Sequence, residues 1–190
     1  ASQRTRRIEL GTAVIPLGLE NPFRLAEDLA TVDVLSHGRV NPGVSVGTPM
    51  RYDDYRHVLY PDTHDVEDFS KERVLRLLRC LRGDPVSDFE GTVGIESFSR
   101  RVQPHSPGLA DRVWYGGGSL RSVGWAGRAG LNLLIGNVTS GEGTDDFFTA
   151  QRRQLDAYRA AYQGSRPARI APGRGIVPFG SADAPTPARY

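Results

Sequence analysis

The sequence contains a single cysteine, Cys80, among its 190 residues. An intrachain disulfide is therefore excluded, and so little cysteine is typical of a protein in a reducing compartment. The sequence also lacks any apolar run long enough to cross a bilayer or to serve as a secretory signal. We therefore expect a cytoplasmic protein that does not bind a membrane.

A strong charge of either sign is missing too. The formal net charge is +2, and the basic residues are spread along the chain except for a small cluster at Arg4, Arg6 and Arg7. Nucleic-acid binding usually requires a concentrated basic surface, so we expect no nucleic-acid partner and interpret the cluster as a solvated face. The remaining composition, with 38% hydrophobic and 24% charged residues, is ordinary for one well-buried domain.

The most informative stretch is residues 112–136, RVWYGGGSLRSVGWAGRAGLNLLIG. An apolar run, three glycines with a serine, a helical pattern and a second apolar run predict a strand, a turn, a helix and a strand. In such a βαβ unit, Ser119 can cap the helix and place its hydroxyl beside the free amides of the first turn. The helix dipole favours an anion there, and phosphate is the expected one. Gly116, Gly117 and Gly118 do not form the GxGxxG of a dinucleotide fold, so a tight turn that binds nothing is the alternative.

Three further helices are predicted from capping residues and apolar spacing. Asn21 and Pro22 are typical of an N-cap and a first helical position. A second helix is expected at residues 69–82, and a third from a cap at Thr144 to about Tyr162. The connections between them predict a long polar loop at residues 48–68 and a hairpin or other excursion at residues 84–111.

The strands alternate with these helices. Strict alternation with buried parallel strands is typical of an α/β fold, either an open doubly wound sheet or part of a (β/α)8 barrel. About five strands are predicted, which is too few to close a barrel of eight. They are expected at residues 7–15, 43–46, 112–115, 131–135 and within 168–179.

Two segments resemble one known family. RIELGTAV, followed by NPFRLAEDLATVDVLSHGRVNPGVSVG, is similar to the bacterial luciferase-like flavin-dependent monooxygenases. VQPHSPGLADRVWYGGGSLRSVGWAGRAGLNLLIG resembles that family's return from its insertion region into the fifth barrel strand. The resemblance covers most of residues 4–162 and implies a TIM-like (β/α)8 barrel of the luciferase-like type.

The family's first two strands and its last strand have no counterpart in this sequence. We therefore expect an incomplete barrel with about five strands that belongs to a longer polypeptide. Five strands alone would leave two sheet edges and an apolar interior exposed. Residues 1–180 are expected to form this partial barrel domain, and the Pro- and Ala-rich residues 181–190 a flexible tail. The resemblance also suggests a homodimer.

The resemblance implies an enzyme. The expected activity is that of a flavin-dependent monooxygenase, which oxidises an organic small molecule with O2 and with reduced FMN supplied by a separate flavin reductase. Two alternatives stay open: an F420-dependent oxidoreductase that transfers hydride, and a non-catalytic flavin-binding barrel remnant. The sequence assigns no catalytic residue and no substrate, because loop shapes decide specificity in barrels.

The same resemblance implies where the cofactor binds. The flavin phosphate is expected at the turn that carries Ser119, where helix capping already predicts an anion. Some relatives hold the phosphate with an arginine at the position of Val46, so Arg121 or Arg51 would have to compensate here. The implied cofactor-binding residues are Gly118, Ser119 and Ser122 at the phosphate, and Thr12, Ala13, Ser45 and Val46 beside the flavin ring or ribityl chain.

Two other groups of side chains have open interpretations. Tyr52, Tyr55, His57 and Tyr60 can either line the pocket or its lid, or pack on their neighbours. The acidic and histidine residues within 62–68 match no standard metal spacing, and the capping of a following helix explains them, so no metal is expected.

Overall fold

The computed structural model of the chain describes residues 2–136 and 142–174. The tail expected at residues 181–190, and the last part of the final expected strand, lie outside the described residues. Strands and helices alternate as the sequence patterns predict. The helices are α1 (Pro22–Leu35), α2 (Tyr52–Leu59), α3 (Glu72–Arg82), α4 (Leu120–Arg128) and α5 (Phe147–Ala161), and the strands are β1 (Leu10–Gly11), β2 (Ile15–Pro16), β3 (Val40–Asn41), β4 (Gly43–Ser45), β5 (Gly91–Val93), β6 (Glu96–Phe98), β7 (Trp114–Gly117), β8 (Asn132–Ile135) and β9 (Ile170–Pro172).

The main sheet is parallel and has the strand order β2, β4, β7, β8, β9. Tyr115 of the central strand β7 lies opposite Val44 on one side and Leu133 on the other. Strands β1 and β3 form a short parallel pair on the same two chain segments that continue into β2 and β4. In the described parts of the chain no further strand pairs with the outer edge of β2 or β9. The architecture is therefore α/β, with the parallel strands of a partial (β/α)8 barrel.

The predicted first strand, residues 7–15, is split into β1 and β2. Between them the Thr12 hydroxyl donates to the Gly43 carbonyl oxygen at 2.8 Å and accepts the Gly43 N–H at 2.9 Å. A side chain at Gly43 would place its Cβ 2.1 Å from the Thr12 carbonyl oxygen. Glycine is therefore required at position 43, because only hydrogen fits in this close approach of two backbones.

A buried carboxylate joins α1 to the strands. The Asp33 side chain is fully buried and accepts hydrogen bonds from the Val40 amide at 2.9 Å and from the Ser106 hydroxyl at 2.6 Å. It also pairs with the guanidinium of Arg112, which in turn donates to the Val40 carbonyl oxygen at 3.0 Å. This network links the end of α1 and the start of β3 to the segment that leads into β7.

Helices α1, α4 and α5 begin at a side-chain cap, and one of these caps was predicted wrongly. At α1 the Asn21 side chain accepts the Phe23 N–H at 2.9 Å, which confirms the predicted N-cap. At α5 the cap is Asp146, whose carboxylate accepts the Thr149 N–H at 2.7 Å. The predicted cap Thr144 instead accepts the Asp146 N–H, two residues before the helix starts. None of the helices in the described ranges is long and apolar enough to cross a membrane.

The two predicted connections have different outcomes. The excursion at residues 84–111 contains the expected hairpin, made of β5 and β6. The loop at residues 48–68 instead contains α2, which the prediction missed because its apolar pattern is weak. Tyr52 is the buried residue of this helix, and its hydroxyl donates to the His64 carbonyl oxygen at 2.9 Å. Tertiary contacts therefore hold a segment that its sequence pattern alone does not identify as helical.

Candidate functional site

The turn between β7 and α4 is built as the capping pattern predicts. Ser119 is the N-cap of α4, and its hydroxyl oxygen accepts the Ser122 N–H at 3.2 Å. The Ser122 hydroxyl oxygen accepts the Ser119 N–H at 3.0 Å, which completes a reciprocal capping box. The same oxygen accepts the Gly118 N–H at 3.1 Å. The two serines therefore fix the backbone of the turn between them.

One amide of the first helical turn already meets an anion. The Leu120 N–H donates to a carboxylate oxygen of Glu142 at 2.7 Å. The amide of Arg121 has no acceptor among the described residues, and the Ser119 hydroxyl retains its proton for donation to a ligand. The start of α4 therefore attracts negative charge, as expected from a helix dipole, but only part of its donor capacity is open.

A cavity of about 420 Å³ lies on one side of this turn, and we call it the outer cavity. Both capping serines face it, together with the start of α3. Two cationic side chains, Lys71 and Arg121, and one carboxylate, Glu72, contribute its charge. The lining residues are Val46, Phe69, Ser70, Lys71, Glu72, Tyr115, Ser119, Arg121 and Ser122.

Lys71 is held in an environment that disfavours its charge. Burial lowers the pKa of the Lys71 ammonium, and the nearby positive charges of Arg121 and Arg128 lower it further. Its Nζ atom lies 5.1 Å from the centroid of the Trp125 ring, a distance at which the ring face attracts a cation. An anion placed in the outer cavity would relieve the repulsion among these cations.

A second cavity of about 470 Å³ lies at the carboxyl ends of the central strands, and we call it the inner cavity. Its walls are main chain and small apolar side chains, and none of its described lining residues carries a titratable group. A Cβ at Gly116 would lie 3.0 Å from a methyl group of Val14, so the backbone there is closely approached. The lining residues are Ala13, Val14, Gly116, Gly117, Gly118, Leu134, Ile135, Gly136, Ala171, Pro172 and Gly173.

Five of the seven residues expected at the cofactor line one or the other of these two cavities. Ala13 and Gly118 line the inner cavity, while Val46, Ser119 and Ser122 line the outer one. Neither cavity, as the described residues form them, is lined by Thr12 or Ser45. Thr12 is engaged with the Gly43 backbone, and Ser45 ends β4 opposite Pro16. The β7–α4 turn separates the two cavities and contributes residues to both.

Residues 43–47 read GVSVG and so match the GxSxG pattern of serine hydrolases. A hydrolase of that kind needs a histidine hydrogen-bonded to the serine. Among the described residues no histidine is hydrogen-bonded to Ser45: His57 and His64 meet edge to face with ring centroids 4.3 Å apart, and His105 lies beside Gly83. The pattern therefore belongs to a barrel strand and carries no catalytic triad.

The aromatic residues of the 48–68 connection pack on one another. Tyr52 contacts Tyr55, Tyr60 and Phe69, and the Tyr60 hydroxyl donates to the Gly18 carbonyl oxygen at 2.9 Å. None of the four side chains Tyr52, Tyr55, His57 and Tyr60 lines either cavity in the described part of the chain. Of the two interpretations left open by the sequence, the structure therefore supports packing on neighbours.

Arg121 and Arg51 were the two candidates to replace a phosphate-binding arginine at position 46. Arg121 lines the outer cavity. Arg51 lies at the start of α2, pairs with Asp54 and lines neither cavity of the described residues. Of the two, Arg121 is therefore the one beside the turn that carries Ser119, and its binding of a phosphate stays a prediction.

Sequence reasoning missed Lys71. It is the only lysine of the sequence and directly follows Ser70 at the start of α3. Its rarity among many arginines was a usable signal, but nothing local indicates that the start of α3 meets the start of α4. Only the tertiary structure brings these two segments to one cavity.

The fold agrees with the family comparison. A family model described as luciferase-like monooxygenase matches residues 1–179. The chain therefore belongs to the luciferase-like monooxygenase family, whose members are oxidoreductases and monooxygenases. This confirms the resemblance inferred from the sequence and, with it, the partial luciferase-like barrel.

Individual relatives fall into two biochemical groups. The chain is similar to 4-hydroxyprotoasukamycin monooxygenase of Streptomyces nodosus subsp. asukaensis, with 36% identity over 84 residues, which is 44% of this chain and 22% of that protein. It is also similar to the F420-dependent glucose-6-phosphate dehydrogenase of Amycolatopsis mediterranei, with 29% identity over 166 residues, which is 82% of this chain and 46% of that protein. The chain thus spans less than half the length of these curated relatives.

A solved structure shares the fold. The oxygenating constituent of 3,6-diketocamphane monooxygenase from Pseudomonas putida, in complex with FMN, superposes with a TM-score of 0.60 at 16% sequence identity. The match covers 90% of this chain and 49% of that one. At this identity the likeness establishes the architecture alone.

Proposed function

We propose that the polypeptide containing this chain is a flavin-dependent monooxygenase that oxidises an organic small molecule with reduced FMN and O2. The observation that carries the proposal is the pair of cavities on either side of the β7–α4 turn. One is cationic and faces a helix N-terminus, and the other is apolar and lies at the carboxyl ends of parallel strands, where barrel enzymes have their active sites.

The donors of the outer cavity fit a flavin phosphate. The Ser119 hydroxyl and the Arg121 amide are open to a ligand, and the guanidinium of Arg121 and the ammonium of Lys71 supply two positive charges. Phosphate carries close to two negative charges and accepts several hydrogen bonds, so this donor set matches its charge and its number of acceptors. In this proposal the Ser122 hydroxyl does not bind the phosphate directly. It accepts the N–H groups of Gly118 and Ser119 and so holds the turn in place.

The inner cavity fits the flavin ring. Gly118 lines this cavity with no atom within 4 Å of where a Cβ would stand, which leaves room for a planar ring, and the apolar side chains of Ala13 and Val14 exclude water from it. Thr12 and Ser45 contribute indirectly, by holding the strands that carry Ala13 and Val46. The bound flavin supplies the oxidative chemistry, and the chain binds it, orients it and keeps solvent away.

A second candidate function is hydride transfer with the cofactor F420. One similar protein is named as an F420-dependent dehydrogenase. Titration of the protein with FMN and with F420, followed by absorbance and fluorescence, separates the two candidates. Saturable binding of FMN supports the monooxygenase, and selective binding of F420 supports the alternative. If neither binds, the chain is a barrel remnant without cofactor and the proposal fails.

Two further predictions concern partners. Supply of reduced FMN by a separate reductase is checked by a coupled oxidation assay. Assembly as a homodimer is checked by light scattering.

Replacing Ser119 by alanine tests the phosphate site. We expect FMN binding to weaken about ten- to a hundredfold, because a hydrogen bond to a charged group contributes about 1.5–3 kcal/mol. Riboflavin has no phosphate, so its affinity should stay unchanged and serves as the internal control, measured by the same fluorescence titration. Ser119→Thr keeps the hydroxyl and the cap, and should bind FMN normally. Equal losses for FMN and riboflavin would show that the variant acts only through the fold.

Replacing Glu142 by glutamine tests whether its carboxylate competes with the phosphate. The carboxylate accepts the Leu120 N–H and would repel an incoming dianion, so its loss should tighten FMN binding by roughly threefold. Glu90→Gln, at an exposed position of the excursion, is the matched control and should change nothing. Weaker FMN binding by Glu142→Gln would show instead that the carboxylate supports the site.

A further inference from the structure

Three cationic side chains lie on or beside the helix face that carries Trp125. Arg121, Trp125 and Arg128 follow one another at helical spacings of four and three residues, so they lie on one face of α4. The opposite face of the helix, with Val123 and Ala126, is buried in the core. Lys71 reaches the same place from the start of α3, above the Trp125 ring. We call Lys71, Arg121 and Arg128 the cationic strip.

The strip extends from the β7–α4 turn along the helix. Ser119 and Arg128 are separated by nine residues, which is about 13 Å along a helix axis. The Arg128 side chain folds back toward the turn, because its Nη1 atom lies 3.6 Å from the position that a Cβ would take at Gly124. Arg128 therefore lies near the outer cavity but does not line it.

The charges of the strip are not neutralised within the described chain. No ion pair joins Lys71, Arg121 or Arg128 to a carboxylate of the described residues. Glu72 lines the outer cavity beside Lys71 and offsets one of the three charges. The lowered pKa of Lys71 is in keeping with this mutual repulsion. The strip therefore carries a net positive charge, which attracts an anion from the solvent toward the phosphate turn.

We propose that the cationic strip captures the phosphate-bearing cofactor from solution and steers it to the turn at Ser119, with Arg128 acting on the rate of association and not on the bound state. This inference rests on the proposed cofactor site. Reduced flavin that reaches the protein by diffusion decays in solution, so a faster association has a direct use for an enzyme that takes it from a separate source. Fields of this kind raise association rates by about tenfold or more at low ionic strength.

Stopped-flow measurement of FMN association with the full polypeptide tests the proposal. In Arg128→Gln we expect the association rate constant to fall by about three- to tenfold at low ionic strength, with an unchanged dissociation rate constant. The difference from the unmodified protein should shrink as salt is added, since the Debye length falls to about 8 Å at physiological ionic strength. Riboflavin association should be the same in both proteins.

Arg82→Gln is the matched control. Arg82 is exposed at the opposite end of α3 from Lys71, so its replacement removes the same charge at a distance from the strip. An equal loss of association rate in Arg82→Gln would mean that net charge alone matters, and would overturn the proposal. A faster dissociation of FMN from Arg128→Gln, with normal association, would also overturn it, because Arg128 would then contact the bound phosphate. If the unmodified protein binds riboflavin and FMN equally well, or neither, the cofactor site itself is wrong.

Discussion

Replacement of Asp33 by alanine should lower the free energy of unfolding by about 3–5 kcal/mol, which is the usual loss when one partner of a buried ion pair is removed. The carboxylate is fully buried and serves three donors, from Val40, Ser106 and Arg112. Without it, the Arg112 guanidinium and the Val40 amide lose an acceptor that water cannot easily replace. Urea denaturation followed by circular dichroism measures the change.

Asp28 of the same helix provides the control. It is exposed, and Asp28→Ala should change the stability by less than about 0.5 kcal/mol. Replacing Asp33 and Arg112 together by apolar residues should cost less than the sum of the two single replacements, because the double variant leaves no unpaired buried charge. A loss for Asp33→Ala no larger than that for Asp28→Ala would contradict the structural role of this network.

Replacement of Gly118 by leucine should separate folding from cofactor binding. A Cβ at Gly118 would meet no atom within 4 Å, and the residue does not have a positive φ, so the fold should tolerate a side chain. Gly118 lines the inner cavity, however, and a leucine side chain there occupies space that the proposal assigns to the flavin ring. We expect FMN and riboflavin affinities to fall together by at least about tenfold, or 1.4 kcal/mol, with nearly unchanged unfolding.

The joint loss distinguishes Gly118→Leu from Ser119→Ala, which should weaken FMN alone. Fluorescence titration with both ligands and thermal unfolding of the ligand-free proteins give the comparison. Gly118→Ala adds a single methyl group and should show a smaller loss in the same direction. Normal binding of both flavins by Gly118→Leu would place the ring elsewhere and would remove the inner cavity from the proposal.

The sequence predicts local features of this molecule well. The βαβ unit at residues 112–136 was recognisable because glycines, a capping serine and two apolar runs follow one another within a short segment. The N-cap at Asn21 was identified for the same reason. The cap of α5 was not identified correctly, because Thr144 and Asp146 are both good capping residues and only the path of the backbone decides between them.

The division of the site into two cavities could not be read from the sequence. Lys71 and Arg121 are fifty positions apart, and their approach depends on the tertiary placement of the start of α3 beside Trp125 of α4. Helix α2 was missed for a related reason, because the contacts of Tyr52 with later residues stabilise it. Features that depend on such long-range packing are set by the whole core, and a single sequence does not indicate them directly.

Five of the eleven residues that line the inner cavity in the described chain are glycines. At these positions there is no side chain that substitution can shrink or recharge, so this part of the cavity should keep its shape while the surrounding sequence drifts. Diversification of chemistry and of substrate choice in such a scaffold would then fall to the segments that border the cavity. We expect divergent relatives to share the inner cavity and to differ mainly in the segments that cover it.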